Sequence, residues 1–219
     1  MKSLAKFNKI KLIAAAVLAL AVSSAGPAIA WANDNDNDGD DVKFDLVRSN
    51  GLAAFPAVAP NAHGRVKIVS LGTVELMEVK VWGLPPNTDF DFFVIQVPNF
   101  PFGLSWYQGD IETNCHGVGY GRFIGRFNIE TFIVSPASLP APIVFQNAFP
   151  DVSPGPKTGP VHTYHLGLWF NDPKDVVKAG GPPTVTPFNG EHNAGVQVLN
   201  TGGFPDLEGP LKKITTSGN

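Results

Sequence analysis

The sequence predicts an all-β protein, a two-sheet antiparallel sandwich of about eight to ten strands with one short helix near residues 173–179. Three observations support this. Apolar and polar residues alternate with period two through several stretches, which buries one face of a strand and leaves the other in water. Clusters of Gly, Pro, Asn, Asp and Ser separate those stretches at short intervals. Only one segment carries both helix start and helix stop signals.

Residues 79–134 hold the clearest pattern. VKVWGL reads as a strand, PPNT as a turn, DFDFFVIQV as a strand, PNFPFGLSWYQGD as a Pro- and Gly-rich connection, TNCHGVG as a turn and YGRFIGRFNIETFIV as one long strand. In the last, Phe123, Phe127, Ile129 and Ile133 share the buried face, and Arg122, Arg126, Asn128 and Glu130 the wet one. Residues 90–97 are apolar on both faces, which places them in the sheet centre or beneath a covering loop.

Upstream, VKFDLV turns Val42, Phe44 and Leu46 inward, and Ser49-Asn50-Gly51 supplies a turn. LAAFPAVAPNAHG, with two prolines, reads as an edge or loop. RVKIVSLGTVELMEVKVW reads as two strands broken near Leu71-Gly72, with an apolar phase slip between Leu76 and Met77 that predicts a β-bulge. Downstream, the proline-rich stretch 135–160 holds one expected strand at 143–146. VHTYHLGLWF resumes the alternation with Tyr164, Leu166, Leu168 and Phe170 on one side. Asp172-Pro173 then offers an N-cap and a first-turn proline, and Gly180-Gly181 a stop, which defines the helix. AGVQVLN is the last expected strand, and the remainder is expected to be irregular or frayed.

The succession of strand, GLPPNT and strand resembles exported bacterial modules of Ig-like or jelly-roll type. The resemblance implies a sandwich, with a closed barrel as the other way to cover the same strands.

Residues 1–30 have the plan of a Sec-type signal peptide: Lys2, Lys6, Lys9 and Lys11, then an apolar run over 12–22, then small residues up to Ala30. Cleavage is expected after Ala30 or Ala32, the alternative being an uncleaved anchor. The expected organisation is a signal at 1–30, an acidic linker at 31–41 and one β domain at 42–219. Cleavage removes four of the sixteen Lys and Arg and none of the nineteen Asp and Glu, leaving a net charge of −7. Such a balance argues against nucleic acid or anionic lipid as partner. Cys115 is the single cysteine, so no intrachain disulfide forms, and stability rests on packing or a bound ion. No lipid-attachment motif accompanies the signal, so the mature chain is expected to be secreted, with no transmembrane anchor.

Several constellations could carry chemistry. Asp34, Asp36 and Asp38, followed by Gly39 and with Asp45 eleven residues beyond Asp34, match calcium-loop spacing. The same residues also read as a solvated linker, because no helix enters the segment. His162 or His165 could meet Glu191 and His192 in a transition-metal site, against the reading of ordinary hydrogen-bonded histidines. Cys115 beside His116 in a turn has no group placed to act as its base. Neither a G-x-S-x-G elbow nor a phosphate-cradling glycine loop is present. Glu75, Glu78, Glu112, Glu130 and Glu191 could supply a glycosidase pair, as could the acids of any acidic β protein. Trp82, Trp106, Tyr107 and Trp169, with Phe100 and Phe102, offer flat rings to a sugar or protein partner, with core packing as the competing role. Trp82 and Trp169 fall on the expected outer faces of their strands.

These features lead to the expectation of a secreted, non-enzymatic binding or structural protein of the cell envelope or extracellular matrix. Its expected partner is an extracellular polysaccharide or an envelope protein, met through loops at 99–108 and 187–194. The rival is a metal-assisted or glycan-cleaving enzyme built on the histidines and Glu191. Self-assembly through edge strands is a third reading.

Overall fold

The alternation read from the sequence becomes a predominantly antiparallel β structure in the computed structural model, which describes residues 41–103, 105–131, 160–186 and 193–214. The expected signal at 1–30, Asp34, Asp36 and Asp38, the expected strand at 143–146, and Glu191 and His192 lie outside those residues. The described strands are β1 (Val42–Arg48), β2 (His63–Ser70), β3 (Glu75–Trp82), β4 (Asp89–Ile95), β5 (Ser105–Glu112), β6 (Gly119–Gly125), β7 (Ile129–Thr131), β8 (Pro160–His162), β9 (His165–Phe170) and β10 (Gln197–Asn200), with the helix α1 (Pro173–Lys178) between β9 and β10. All belong to one compact unit, Asp38–Asn219. No helix among the described residues is long and apolar enough to cross a membrane.

Eight strands form one sheet in the order β5-β4-β9-β10-β1-β2-β3-β6, and β7 pairs with β8 alone. Every pairing is antiparallel. β1 joins the two halves: residues 42–46 pair with β2, while Val47 and Arg48 pair with β10. The edge strands β5 and β6 meet through a bridge between Thr113 and Gly119. Phe123 of β6 also reaches across to stack on Phe92 of β4, with ring centroids 5.3 Å apart. The sheet therefore nearly closes like a barrel. The apolar faces of its two halves, β1-β2-β3-β6 and β10-β9-β4-β5, share one interior, an arrangement close to the closed barrel that was the other expected way to cover these strands. Phe44, Leu46, Val66, Ile68, Met77, Val79, Phe90, Phe92, Leu166 and Leu168 form the interior.

Local differences from the sequence expectation have identifiable causes. The bulge expected at Leu76 and Met77 is absent from β3, which pairs with β2 in unbroken register from Glu75 to Trp82. Val74 instead lies in the turn, where its C=O accepts from Leu71 N–H at 2.8 Å, and Leu76 stays in register opposite Val69, half-buried on the outer face. The register shifts lie at Phe92/Phe93 and Gln197/Leu199. The long strand expected over 120–134 breaks after Gly125, and β7 leaves for β8. At the break, Phe127 N–H donates to Glu75 Oε2 (3.0 Å) and Thr163 Oγ1 donates to Phe127 O (3.2 Å), while Phe127 stays buried as the alternation required. Ile133 lies outside the described residues.

β4 sits between β5 and β9 and is apolar on both faces, as its sequence demanded. The helix forms where its signals placed it: Asp172 Oδ1 accepts from Lys174 N–H at 2.7 Å, and Gly180 adopts a φ of 87° just past the end. The segment from Gly202 was expected to be irregular or frayed; it is irregular apart from a 3-10 turn at Pro210–Lys213, but it is packed as far as Ile214, with Leu211 and Ile214 in the core and Phe204 edge-on to Phe44 at 6.3 Å.

Glu75 is the acid the fold treats most unusually. It is fully buried, with Arg126 Nε 3.9 Å from Oε1. Burial raises its pKa above the ordinary carboxylate value, outweighing the hydrogen bond from Phe127 and the charge of Arg126. The folded state therefore holds this proton more tightly than the unfolded chain does. Its contribution to stability is complete below the unfolded pKa and declines as pH rises through the folded one. Glu75→Gln removes the titration and is expected to flatten the fall of the urea midpoint as pH rises above the ordinary carboxylate range. Parallel curves for variant and wild type would contradict this account.

Candidate functional site

β9 is buried on both faces, and Trp169 on its second face is the floor of an open recess formed by the described residues. Leu166, Leu168 and Phe170 point into the barrel, while Gly167 and Trp169 point outward. A Cβ on residue 167 would lie 2.4 Å from the Trp169 ring, so glycine there lets the indole lie flat along the strand. The ring packs edge-on against Phe93 (5.4 Å) and Phe102 (5.1 Å). Trp169 is thus 0 % exposed, the core-packing role that the sequence weighed against a ring offered to a partner. Its direction was right, but the loop at 96–103 folds over it.

That loop forms one wall. Val97 N–H donates to Phe102 O (3.0 Å) and Phe102 N–H to Asn99 O (2.9 Å). Phe102 and Gly103 have φ of 63° and 69°, and a Cβ at Gly103 would meet Gln96 Oε1 at 2.4 Å, so only glycine fits there. An amide network pins the wall to β10. Pro98 O accepts from Asn200 Nδ2 (2.8 Å) and Gln197 Nε2 (3.2 Å), and Gln197 Oε1 accepts from Ser49 Oγ (2.7 Å) and Asn200 Nδ2 (2.8 Å). Phe100 stands at the rim, 85 % exposed and edge-on to Phe102.

The opposite wall follows β1. Ser49 caps a 3-10 turn at Asn50–Leu52, and Arg48 reaches under the next residues to donate to Leu52 O (2.9 Å), Phe55 O (2.7 Å) and Val58 O (3.0 Å). Phe55 is held at the groove by these bonds. Pro182, Thr184 and Thr186 form the third side, with Thr186 N–H donating to Ala194 O at 2.7 Å. The open groove measures about 650 Å³, and among the described residues its lining of Ser49, Asn50, Gly51, Phe55, Asn99, Phe100, Phe102, Trp169, Pro182, Thr184, Thr186, Val196 and Gln197 contains no charged side chain. A smaller recess of about 390 Å³ beside α1 contains the Asp175 and Lys178 pair.

The other predicted residues fall elsewhere. Trp106 and Tyr107 belong to edge strand β5 and not to a connection, and are 47 % and 48 % exposed. Tyr107 donates its hydroxyl to Asp110, and burial followed by that carboxylate raises its pKa. Trp82 is half-buried on the outer face of β3, beside His63 (4.9 Å) with Lys80 Nζ 5.9 Å from its ring. Asp45, the one described member of the calcium spacing, sits between Arg65 (3.2 Å) and His63 (3.7 Å) on the sheet surface.

His162 and His165 lie on different strands, and His162 stacks on Tyr164 at 5.5 Å. His165 is fully buried with both ring nitrogens engaged: Nδ1 lies 2.8 Å from Thr201 Oγ1 and Nε2 3.0 Å from Asp206 O. A carbonyl only accepts, so Nε2 carries the proton and Nδ1 accepts from the hydroxyl. Burial lowers the pKa of this imidazole and keeps it neutral. Among the described residues, no group of three or more His, Cys, Asp or Glu could hold a metal ion. Cys115 is exposed at the β5–β6 turn, where Asn114 Oδ1 accepts from His116 N–H at 2.9 Å.

Sequence reasoning missed Ser49, Asn50, Phe55, Pro98 and Gln197. Gln197 alone carried a signal, as an amide in the middle of an otherwise apolar strand. No protein-family model matches the chain, and no curated protein matches it either.

Proposed function

We propose that this is a secreted, non-enzymatic binding protein of the cell envelope or extracellular matrix, and that its groove takes a segment of neutral polysaccharide. One observation carries the reading: among the described residues, aromatic walls and amide or hydroxyl groups line the groove without any charge. Sugar rings present apolar C–H faces for Phe100 and Phe55 and hydroxyl rims for Asn50, Asn99, Thr184 and Thr186. A charged ligand would leave water without compensation there. The loop wall is fixed by its own hydrogen bonds, which limits the ordering cost of binding. Export is supported by the basic, apolar and small-residue succession of residues 1–30. For the fold, we propose that β1-β2-β3-β6 and β10-β9-β4-β5 act as the two layers of an Ig-like or jelly-roll sandwich, a reading supported by the apolar packing between them.

Affinity electrophoresis through a panel of neutral polysaccharides tests the binding. At least one is expected to retard the wild-type protein, and Phe100→Ala to weaken that binding about tenfold, or about 1.4 kcal/mol, with unchanged thermal stability because the ring is mostly in solvent. Free mobility in every gel removes the proposal. Release of shortened sugar chains on incubation would replace it with the enzymatic reading.

A further inference from the structure

After β10 the chain stays on the barrel as a strap, residues 201–214, tied down at three points. Thr201 N–H donates to Leu166 O (3.1 Å), Leu211 N–H to Tyr164 O (3.2 Å) and Asn128 Nδ2 to Ile214 O (3.1 Å). Between the first two ties the buried ring of His165, the first residue of β9, holds the loop. Its Nε2–H donates to Asp206 O and its Nδ1 accepts from Thr201 Oγ1. A Cβ on residue 209 would lie 2.7 Å from Nε2 and 2.1 Å from Tyr164 O, so glycine there lets the strap's backbone lie directly against the imidazole.

These bonds suit a neutral ring. Thr201 Oγ1 gives its proton to Nδ1 and accepts from Leu166 N–H at 3.2 Å. A second ring proton would turn Nδ1 into a donor, leaving the hydroxyl proton without its acceptor and a cation inside the fold. Among the described residues, the one charge acting on the ring is the Asp206 carboxylate, itself exposed to solvent on the strap. On β4 the residue opposite is the apolar Ile95, and on the strap Glu208 and Lys212 pair with each other at 2.6 Å, Lys212 lying over the Tyr164 ring. Burial keeps the ring neutral against the pull of the Asp206 carbonyl and carboxylate. Once the strap lifts, the ring meets water and takes up its proton at the ordinary value of 6.5.

We propose that His165 is a proton-operated latch: below neutral pH, its second proton releases residues 201–214 from the end of the barrel while the eight-stranded sheet stays folded. Release uncovers the apolar seats of Phe204, Leu211 and Ile214, among them the Phe44 ring. No residue of the latch lines the sugar groove, so the device is independent of the polysaccharide reading.

Amide hydrogen exchange of the full protein, with each rate referred to that of an unstructured peptide at the same pH, tests the latch. Protection of residues 202–214 is expected to be constant above about pH 6.5 and to fall about tenfold per pH unit below it, because opening takes up one proton. At every pH it is expected to stay at least about tenfold below that of β3 and β6, since the strap opens without the sheet. His165→Gln offers an amide donor and an acceptor but does not titrate, and is expected to hold the protection constant. Strap protection that is flat against pH in the wild type, or equal to that of β3 and β6, overturns the proposal with no variant needed. A folded variant that keeps the wild-type slope overturns it too. Should the variant not fold, NMR of the wild-type His165 ring decides: it is expected to be neutral at about pH 6 in the closed protein, and a ring protonated there with the strap still protected overturns the latch.

Discussion

Replacing Trp169 with alanine is expected to destabilise the protein by about 3–5 kcal/mol, the largest effect of any single substitution outside the barrel interior. The ring is wholly buried and, with Phe93, Ile95 and Ala194, forms a cluster separate from the main core. Deleting the indole would remove the shared partner of Phe93 and Phe102 and leave a void that the strand beneath cannot fill. Urea unfolding followed by far-UV circular dichroism measures the loss. Trp169→Phe is expected to recover part of it. Polysaccharide affinity is expected to fall with the alanine variant, because Phe102 and the 96–103 wall lose their seat. Full affinity alongside the stability loss would separate the wall from the floor.

Arg48→Met is expected to destabilise by about 3 kcal/mol although it leaves the apolar volume of the stem largely intact. Its guanidinium satisfies the carbonyls of Leu52, Phe55 and Val58, which come from a segment with no ladder of its own. Hydrogen bonds from a charged donor are worth about 1.5–3 kcal/mol each in isolation, and sharing one donor group makes their sum less than additive. Thermal unfolding gives the energy, and limited proteolysis gives the place. New cleavage is expected within 52–58, with Arg48→Lys intermediate because one ammonium cannot span three carbonyls in the same fork. An unchanged digestion pattern would show that the segment holds its shape without this side chain.

What the sequence revealed was whatever depends on near neighbours along the chain. Period two in β3 and β6, the double-sided apolarity of β4 and the capped helix after Asp172 are written in adjacent residues, and the structure follows them. What stayed hidden depends on residues far apart. Trp169 has outer-face parity, but a loop some seventy residues earlier covers it. The break at Gly125 is set by the Glu75 carboxylate, whose bond to Phe127 spans 52 positions. The groove is assembled from five separate segments, and most of its polar members look like ordinary turn residues when read in place. The packing of the turn at Pro210–Lys213 against β1 was equally unreadable, since Pro-Leu-Lys-Lys carries no alternation.

The bridge between Thr113 and Gly119 also bears on how the chain avoids adding to copies of itself, because there the two ends of the eight-stranded sheet come together. An unpaired strand edge is a template on which another chain can grow, and a sheet that turns back on itself offers less of it. At that seam an approaching molecule meets side chains and turns rather than a free row of N–H and C=O groups.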